Sequence, residues 1–297
     1  MKTKLIFGLL FMTLIFVSCS NSDETTNTET TGRLKVQLTD APFPYNFLAE
    51  ANVTVFKVEA RRVEDENSDD DAKENSEGYP FITLMEEEIE VNLLELTNGI
   101  TQQLADLEVP AGTYNLIRIY VKGVNVVLTD GSTYNLKVHS GEQTGIKVFI
   151  KPGLTVSGGI SSDLLLDFDV SRSFVVQGNI DTPAGINGFI FKPVIKASNL
   201  STSGTLFGNV STLNQETAIP LEGTQISVFA ADTLNTTGFT DANGDYTIMG
   251  LKAGTYKVLA ELEGYIASDY LDIQIDAGNK TLQDFILEAN TASGGSE

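Results

Sequence analysis

The stretch Val124-Asn125-Val126-Val127-Leu128-Thr129-Asp130-Gly131-Ser132-Thr133-Tyr134-Asn135-Leu136-Lys137-Val138 decides the fold class. Val124, Val126 and Leu128 recur at every second position up to Thr129-Asp130-Gly131. Tyr134, Leu136 and Val138 resume the pattern beyond it. Period two sends alternate side chains to opposite faces, which is the signature of half-buried strands and not of a helix. Asp-Gly between two such runs predicts a tight hairpin, because both turn positions can adopt φ > 0.

The alternation continues outward in both directions. Leu34, Val36 and Leu38 alternate with Lys35, Gln37 and Thr39, and Ile146, Val148 and Ile150 form another run. Leu164, Leu166, Phe168 and Val170 follow, then Phe189 and Phe191. A single helical candidate, Leu93–Leu107, is interrupted by Asn98-Gly99. The chain of 297 residues suits about two domains. A polar hinge, Ser198–Gly204, separates two patterned regions. The expectation is an all-β protein: two β-sandwich-like domains in tandem, 32–198 and 204–288, after a leader (1–18) and a tether (19–31), with a flexible tail at 289–297.

Charge narrows the function classes. The chain has 19 Lys+Arg against 40 Asp+Glu, a formal net charge of −21. Lys2 and Lys4 belong to the leader, so the remainder is more acidic still. Such a field repels nucleic acid and anionic headgroups, so no nucleic-acid partner is expected. A single cysteine rules out a disulfide within the chain and the cysteine-rich metal motifs. The one histidine, His139, precedes Ser140. Neighbours on a strand face opposite ways, so no Ser–His pair is expected there.

The N-terminus reads as an export signal. Leu5–Val17 is a nearly unbroken apolar run behind Lys2 and Lys4. As a helix it would span about 20 Å, short of the roughly 30 Å hydrocarbon core, so it reads as a cleaved leader. Phe16-Val17-Ser18-Cys19 resembles the bacterial lipobox, with Phe16 in place of the usual Leu. The resemblance implies cleavage before Cys19 and its acylation by fatty chains such as palmitate, which attach the protein to a lipid bilayer. At about 0.8 kcal/mol per buried CH₂, two or more chains hold stably. An ordinary secretory signal with an incidental cysteine is the other reading. Residues 20–31 contain no apolar side chain and read as a flexible tether. Ser22-Asp23-Glu24 resembles the acidic signal that sends lipoproteins of Bacteroidota to the cell surface. It implies a lipid-anchored outer-membrane protein facing outward, with a plain spacer and a periplasm-facing protein as the alternative.

Two further resemblances follow from ordered motifs. Leu38-Thr39-Asp40-Ala41-Pro42, Val109-Pro110-Ala111-Gly112-Thr113-Tyr114 running into Ile117-Arg118-Ile119, Leu166-Asp167-Phe168-Asp169 and Lys192-Pro193-Val194-Ile195 fall in sequence over about 32–197. Ser140-Gly141 before Gly145-Ile146-Lys147 belongs to the same series. Together they resemble a lipoprotein family known as a domain of unknown function, whose signature is Thr-Asp-Ala-Pro. It implies a β-rich extracytoplasmic domain and no known activity. Over 204–288, Gly204-Thr205-Leu206-Phe207-Gly208, Leu221-Glu222-Gly223-Thr224, Thr240-Asp241-Ala242-Asn243-Gly244-Asp245-Tyr246 and Ala253-Gly254-Thr255-Tyr256 resemble the carboxypeptidase regulatory-like domain. That is a small Ig-like or prealbumin-like sandwich with a carbohydrate-binding-like fold. Fold likeness alone does not transfer sugar binding. Ala-Gly-Thr-Tyr occurs at both 111–114 and 253–256, each before a strand, as in the tyrosine corner of sandwiches.

Candidate chemistry is sparse. The acidic run at residues 64–77 reads as an exposed loop, with a loose calcium site as the sharper alternative. Asp163, Leu165, Asp167 and Asp169 share one face of a strand. Residues two apart lie about 6.6 Å apart, within the range of glycosidase carboxylates. A solvated row is the expectation for this face, and a cation such as calcium held by Asp40, Asp167 and Asp169 is the alternative. Asp241-Ala242-Asn243-Gly244-Asp245 has alternating oxygens but lacks the calcium-loop frame, so it reads as a turn. Asp232-Thr233-Leu234 resembles a Bacteroidota O-glycosylation site with Thr233 as acceptor. No catalytic residue is assigned and no enzyme is expected. The function expected is non-catalytic binding, with a glycan as ligand, near uptake machinery. The alternative is a structural or adhesive part of an envelope assembly, with an envelope protein as partner. Tyr265 and Tyr270 are the aromatic candidates for a sugar platform, since the chain has no Trp.

Overall fold

The computed structural model describes residues 30–41, 47–63, 81–138, 142–179 and 185–290. The leader, Cys19, most of the tether, the acidic run at 64–77, His139 and most of the tail lie outside these. Among the described residues no helix is long and apolar enough to cross a membrane.

The first domain runs β1 (Thr31–Ala41), β2 (Leu48–Val63), β3 (Phe81–Met85), β4 (Ile89–Asn92), β5 (Gln102–Pro110), β6 (Gly112–Leu128), β7 (Thr133–Asn135), β8 (Ile146–Val156) and β9 (Ser161–Asp169). It ends with one helical turn α1 (Val170–Ser173), then β10 (Phe174–Gly178), β11 (Ile186–Phe191) and β12 (Ile195–Asn199). One sheet has the order β12-β9-β1-β5. A second has the order β3-β2-β6-β7, with β4 on β2 and β8 on β6, and β10 and β11 pair in a separate two-stranded sheet. β1 sits between an antiparallel neighbour, β5, and a parallel one, β9, paired from Arg33↔Ser161 to Ala41↔Asp169. The alternation in β1 and β9 sends Leu34, Val36, Leu38, Leu164 and Leu166 into one core with β2 and β6 residues such as Val53 and Ile117. The two sheets bury what each strand's periodicity marks as apolar.

The second domain runs β13 (Ser203–Asn214), β14 (Thr217–Pro220), β15 (Gln225–Ala230), β16 (Thr233–Phe239), β17 (Asp245–Lys252), β18 (Gly254–Glu261), β19 (Leu271–Ile275), β20 (Lys280–Leu282) and β21 (Phe285–Ile286). One sheet is β14-β13-β17, with β20 and β21 on β13. The other is β16-β15-β18-β19. A separate core, including Leu206, Val210, Ile226, Val258 and Phe285, fills the space between them.

Two local expectations are refined. The segment from Leu93 is a short 3-10 turn at Leu93–Glu95 that gives way to β5, so the helical candidate does not form. Asn98 and Gly99 adopt φ of 54° and 81°, which no helix permits. The Asp130-Gly131 hairpin forms, but of its two turn residues only Gly131 has positive φ, at 85°. Gly131 N–H donates to Leu128 O (2.9 Å) and Leu128 N–H to Ser132 O (2.9 Å), the pattern of a type I turn closed by a glycine bulge. Asp130 Oδ1 accepts from Ser132 N–H at 2.9 Å, which holds Asp130 in the ordinary φ range.

Both tyrosine corners are present with the same geometry. Tyr114 hydroxyl donates to Pro110 O at 2.8 Å, and Tyr256 hydroxyl to Lys252 O at 2.9 Å. Each bond ties the start of a strand to the end of the preceding one. A third buried phenol, Tyr246, donates to Gln283 O at 2.6 Å. Burial pushes all three hydroxyls above the ordinary tyrosine range.

Tyr114→Phe and Tyr256→Phe should each lower unfolding free energy by about 1 kcal/mol, since each strips a hydrogen bond and leaves a carbonyl unpaired. An unchanged denaturant midpoint would remove the corner bonds from the account. The raised phenol pKa values stabilise the fold fully below the unfolded value near 10, and that contribution is lost as pH rises through the folded values. Thermal midpoints should therefore fall above about pH 10. A profile flat to pH 12 would contradict this.

Candidate functional site

The outer face of the β12-β9-β1-β5 sheet carries Lys35, Gln37 and Thr39 on β1. By register it also carries Asp163, Leu165 and Asp167 on β9, and Lys196 and Ser198 on β12. The expected solvated row is corrected here. Leu165 is fully buried, because the second domain lies on this face. A lone leucine in a polar row is what such docking requires.

Glycines set the approach. Gly250 of β17 has φ +74°, and a Cβ there would lie 3.1 Å from Ser198 Cβ and 3.3 Å from Leu165 Cδ2. From the other side, a Cβ on Gly99 would lie 3.0 Å from Thr247 Cγ2. Neither position accepts a side chain without backbone strain or displacement. Ser198 hydroxyl donates to Gly250 O at 3.1 Å, and Lys196 Nζ to Asn235 O at 2.9 Å.

The most specific contact is made by Asn98. Its Nδ2 donates to Asp245 O (3.1 Å), and its Oδ1 accepts from Thr247 N–H (3.3 Å). The carboxamide thus answers a carbonyl and an amide of β17 as a neighbouring strand's peptide would. The Asn98 loop is held by the Thr-Asp of the Thr-Asp-Ala-Pro motif. Thr39 hydroxyl reaches both Leu96 O (3.0 Å) and Ile100 O (3.1 Å), and Asp40 N–H donates to Leu96 O (3.0 Å). Asp40 Oδ1 accepts from Val170 N–H at 3.1 Å. The motif is a clamp between β1, the Asn98 loop and α1.

The cation candidates are divided. Asp40 and Asp167 both line a cavity of about 30 Å³ at the domain junction. Asp169 turns instead to its own helical turn, accepting from Ser171 hydroxyl (2.7 Å), Arg172 N–H (2.9 Å) and Arg172 Nε (2.6 Å). Burial works against its ionisation, but those bonds and the Arg172 charge hold its carboxyl below the ordinary range. Among the described residues no group of three or more His, Cys, Asp or Glu side chains is placed to hold a metal. Asp241 Oδ1 accepts from Asn243 N–H (2.9 Å) and Asp245 N–H (3.0 Å), so it closes a turn. Thr233 is exposed at the β15–β16 hairpin, beside Ala231 and Asp232 with φ of 47° and 63°. Tyr270 is 58% exposed and meets Phe229 edge to face. Tyr265 is half-buried against the second core.

A cleft of about 530 Å³ opens beside the junction, between β8 and β12 on one side and β16 to β18 on the other. Lys147, Lys151, Lys196 and Lys252 line it, together with Phe149, which is 44% exposed. Lys151 Nζ lies 5.7 Å from the Phe149 ring centroid. Sequence reasoning took Ile146, Val148 and Ile150 as the buried face of this strand. The complementary positions Lys147, Phe149 and Lys151 carried the available signal: two lysines around an aromatic on an outward face.

Residues 31–193 match the model of the family described as Domain of unknown function (DUF4382), and residues 205–288 match that of the carboxypeptidase regulatory-like domain. No curated protein matches the sequence. Among solved structures, the minor pilin GBS52 of Streptococcus agalactiae aligns at 11% identity over 89% of this chain and 99% of its own, with a TM-score of 0.29. Shaft pilin SpaA of Lactobacillus rhamnosus GG aligns at 12% identity over 88% and 98%, with a TM-score of 0.27. The Bacillus anthracis TIE protein aligns at 12% over 88% and 51%, with a TM-score of 0.25. Overlaps this weak carry no argument about fold or role.

Asn98→Ala should raise the hydrogen-exchange rate of the Thr247 amide by about tenfold, the equivalent of one lost hydrogen bond of about 1.4 kcal/mol. Thr39→Val should act in the same direction from the far side of the loop. Unaltered protection at Thr247 in both variants would show that the loop does not hold β17.

Proposed function

The chain belongs to the DUF4382 family, whose model covers over half of it, with a carboxypeptidase regulatory-like domain following. From that premise we propose that it is a non-catalytic, lipid-anchored structural or adhesive component of the cell envelope. The observation that carries this reading is the domain junction. Two sandwiches with separate cores are locked face to edge by Asn98, Ser198 and Lys196, with Gly99 and Gly250 allowing close contact. Several short-range bonds across a junction favour one fixed relative placement, which suits a part that displays a surface or bears load. Flexibly linked domains lack such bonds.

Anchoring is supported by the sequence. The leader, the lipobox-like Phe16-Val17-Ser18-Cys19 and the polar stretch after it would together hold the body a tether's length from the bilayer. An outer-membrane, outward-facing position is part of the proposal. A second reading, glycan binding near uptake machinery, is favoured by the lysine-lined cleft and its exposed Phe149.

In cells fed an alkyne-tagged palmitate, the wild-type protein should be labelled and sediment with membranes, and Cys19→Ser should do neither. Membrane-bound, labelled Cys19→Ser protein would refute the anchor. Digestion of the protein by protease added to intact cells tests the outward orientation.

A further inference from the structure

We propose that the junction cleft is a binding site for an acidic polysaccharide, a polymer of sugar rings bearing carboxylates or sulfates. The proposal rests on the extracytoplasmic reading above, and it supplies the adhesive or binding role with a ligand class.

The distribution of charge comes first. The chain carries 40 acidic side chains and 19 basic ones. Four of those basic residues, Lys147, Lys151, Lys196 and Lys252, line one cleft, and among the described residues that line it Asp167 is the one acid. At physiological ionic strength, fields decay over about 8 Å, so the charges that line the cleft, four lysines and Asp167, weigh most in its potential. Surrounding negative charge confines an anion to this place on the surface.

The spacing comes second. Lys147, Phe149 and Lys151 follow one another at alternate positions of β8, so the two lysines lie about 13 Å apart along one face. Lys196 stands on β12, and Lys252 at the end of β17 in the other domain. Lysines drawn from three strands along a cleft suit repeated charges on a polymer better than a single anion. Lys196 commits one donor to Asn235 O, and an ammonium has three.

The aromatic comes third. Phe149 is 44% exposed between the two β8 lysines. An apolar ring there offers a face to the C–H side of a sugar while the lysines meet its acidic groups. Simple phosphate recognition has no use for that ring.

The test uses the chain from residue 19 onward carrying Cys19→Ser, with oligogalacturonate as the acidic probe and neutral galactan as control, read by titration calorimetry. Oligogalacturonate should bind and weaken with added salt, and galactan should not bind. Lys196→Gln/Lys252→Gln should weaken binding about tenfold or more. Phe149→Ala should weaken it while leaving the salt dependence in place. Lys280→Gln, outside the cleft, should bind as wild type, and thermal midpoints check that every variant folds. Absence of oligogalacturonate binding, equal galactan binding, or insensitivity to the cleft variants overturns the proposal. So does capture of phosphatidylglycerol vesicles with no oligogalacturonate binding, which would assign the lysines to lipid phosphates. None of these failures touches the Cys19 anchor, which labelling tests separately.

Discussion

The outer edge of β17 is the constraint around which this molecule is arranged. An edge strand presents unpaired amides and carbonyls that must find partners in water or in protein. Here part of that edge is met by a single carboxamide, Asn98, from the other domain. Its loop is in turn held by Thr39 through two carbonyls. A three-atom side-chain group therefore connects the first strand of one sandwich to an edge strand of the other. The glycines at 99 and 250 are the steric condition for that contact, because a side chain at either would push the surfaces apart.

This dependence gives Thr39 and Asp40, near the start of the first domain, a structural role. Thr39 and Asp40 are buried polar residues, and each makes hydrogen bonds that fix neighbouring loops. A buried hydroxyl or carboxylate is costly unless satisfied, so such residues specify one arrangement of the chain. The cleft lies downstream of the same geometry. Lys147 and Lys151 face Lys252 across it only because the two sandwiches hold their relative placement.

Much of the fold was legible in the sequence, for a simple reason. Period-two runs such as Leu34–Leu38 and Leu164–Phe168 report burial directly, and Ala-Gly-Thr-Tyr marked both corners whose hydroxyl bonds the structure contains. The site was less legible. Asn98-Gly99 reads locally as a break, and its bonding to β17 joins residues almost 150 positions apart. Leu165 among three aspartates was the visible hint of docking, but alternation alone assigns that face to solvent. The Asp130-Gly131 turn showed how one side-chain bond, from Asp130 to Ser132 N–H, selects among turn types that share a sequence. The lysines of the cleft come from three strands and two domains, and no local pattern gathers them.

β1 is the first strand among the described residues, and it lies inside its sheet with β5 on one flank and β9 on the other. A pull transmitted from the N-terminal side arrives at Thr31. An outermost strand would peel away one bond at a time, but β1 is gripped on both flanks over most of its length. Its cross-strand bonds must yield together in shear. Were the body held through its N-terminal side, as the proposed anchor requires, drag on the whole molecule would become a load shared by many bonds at once.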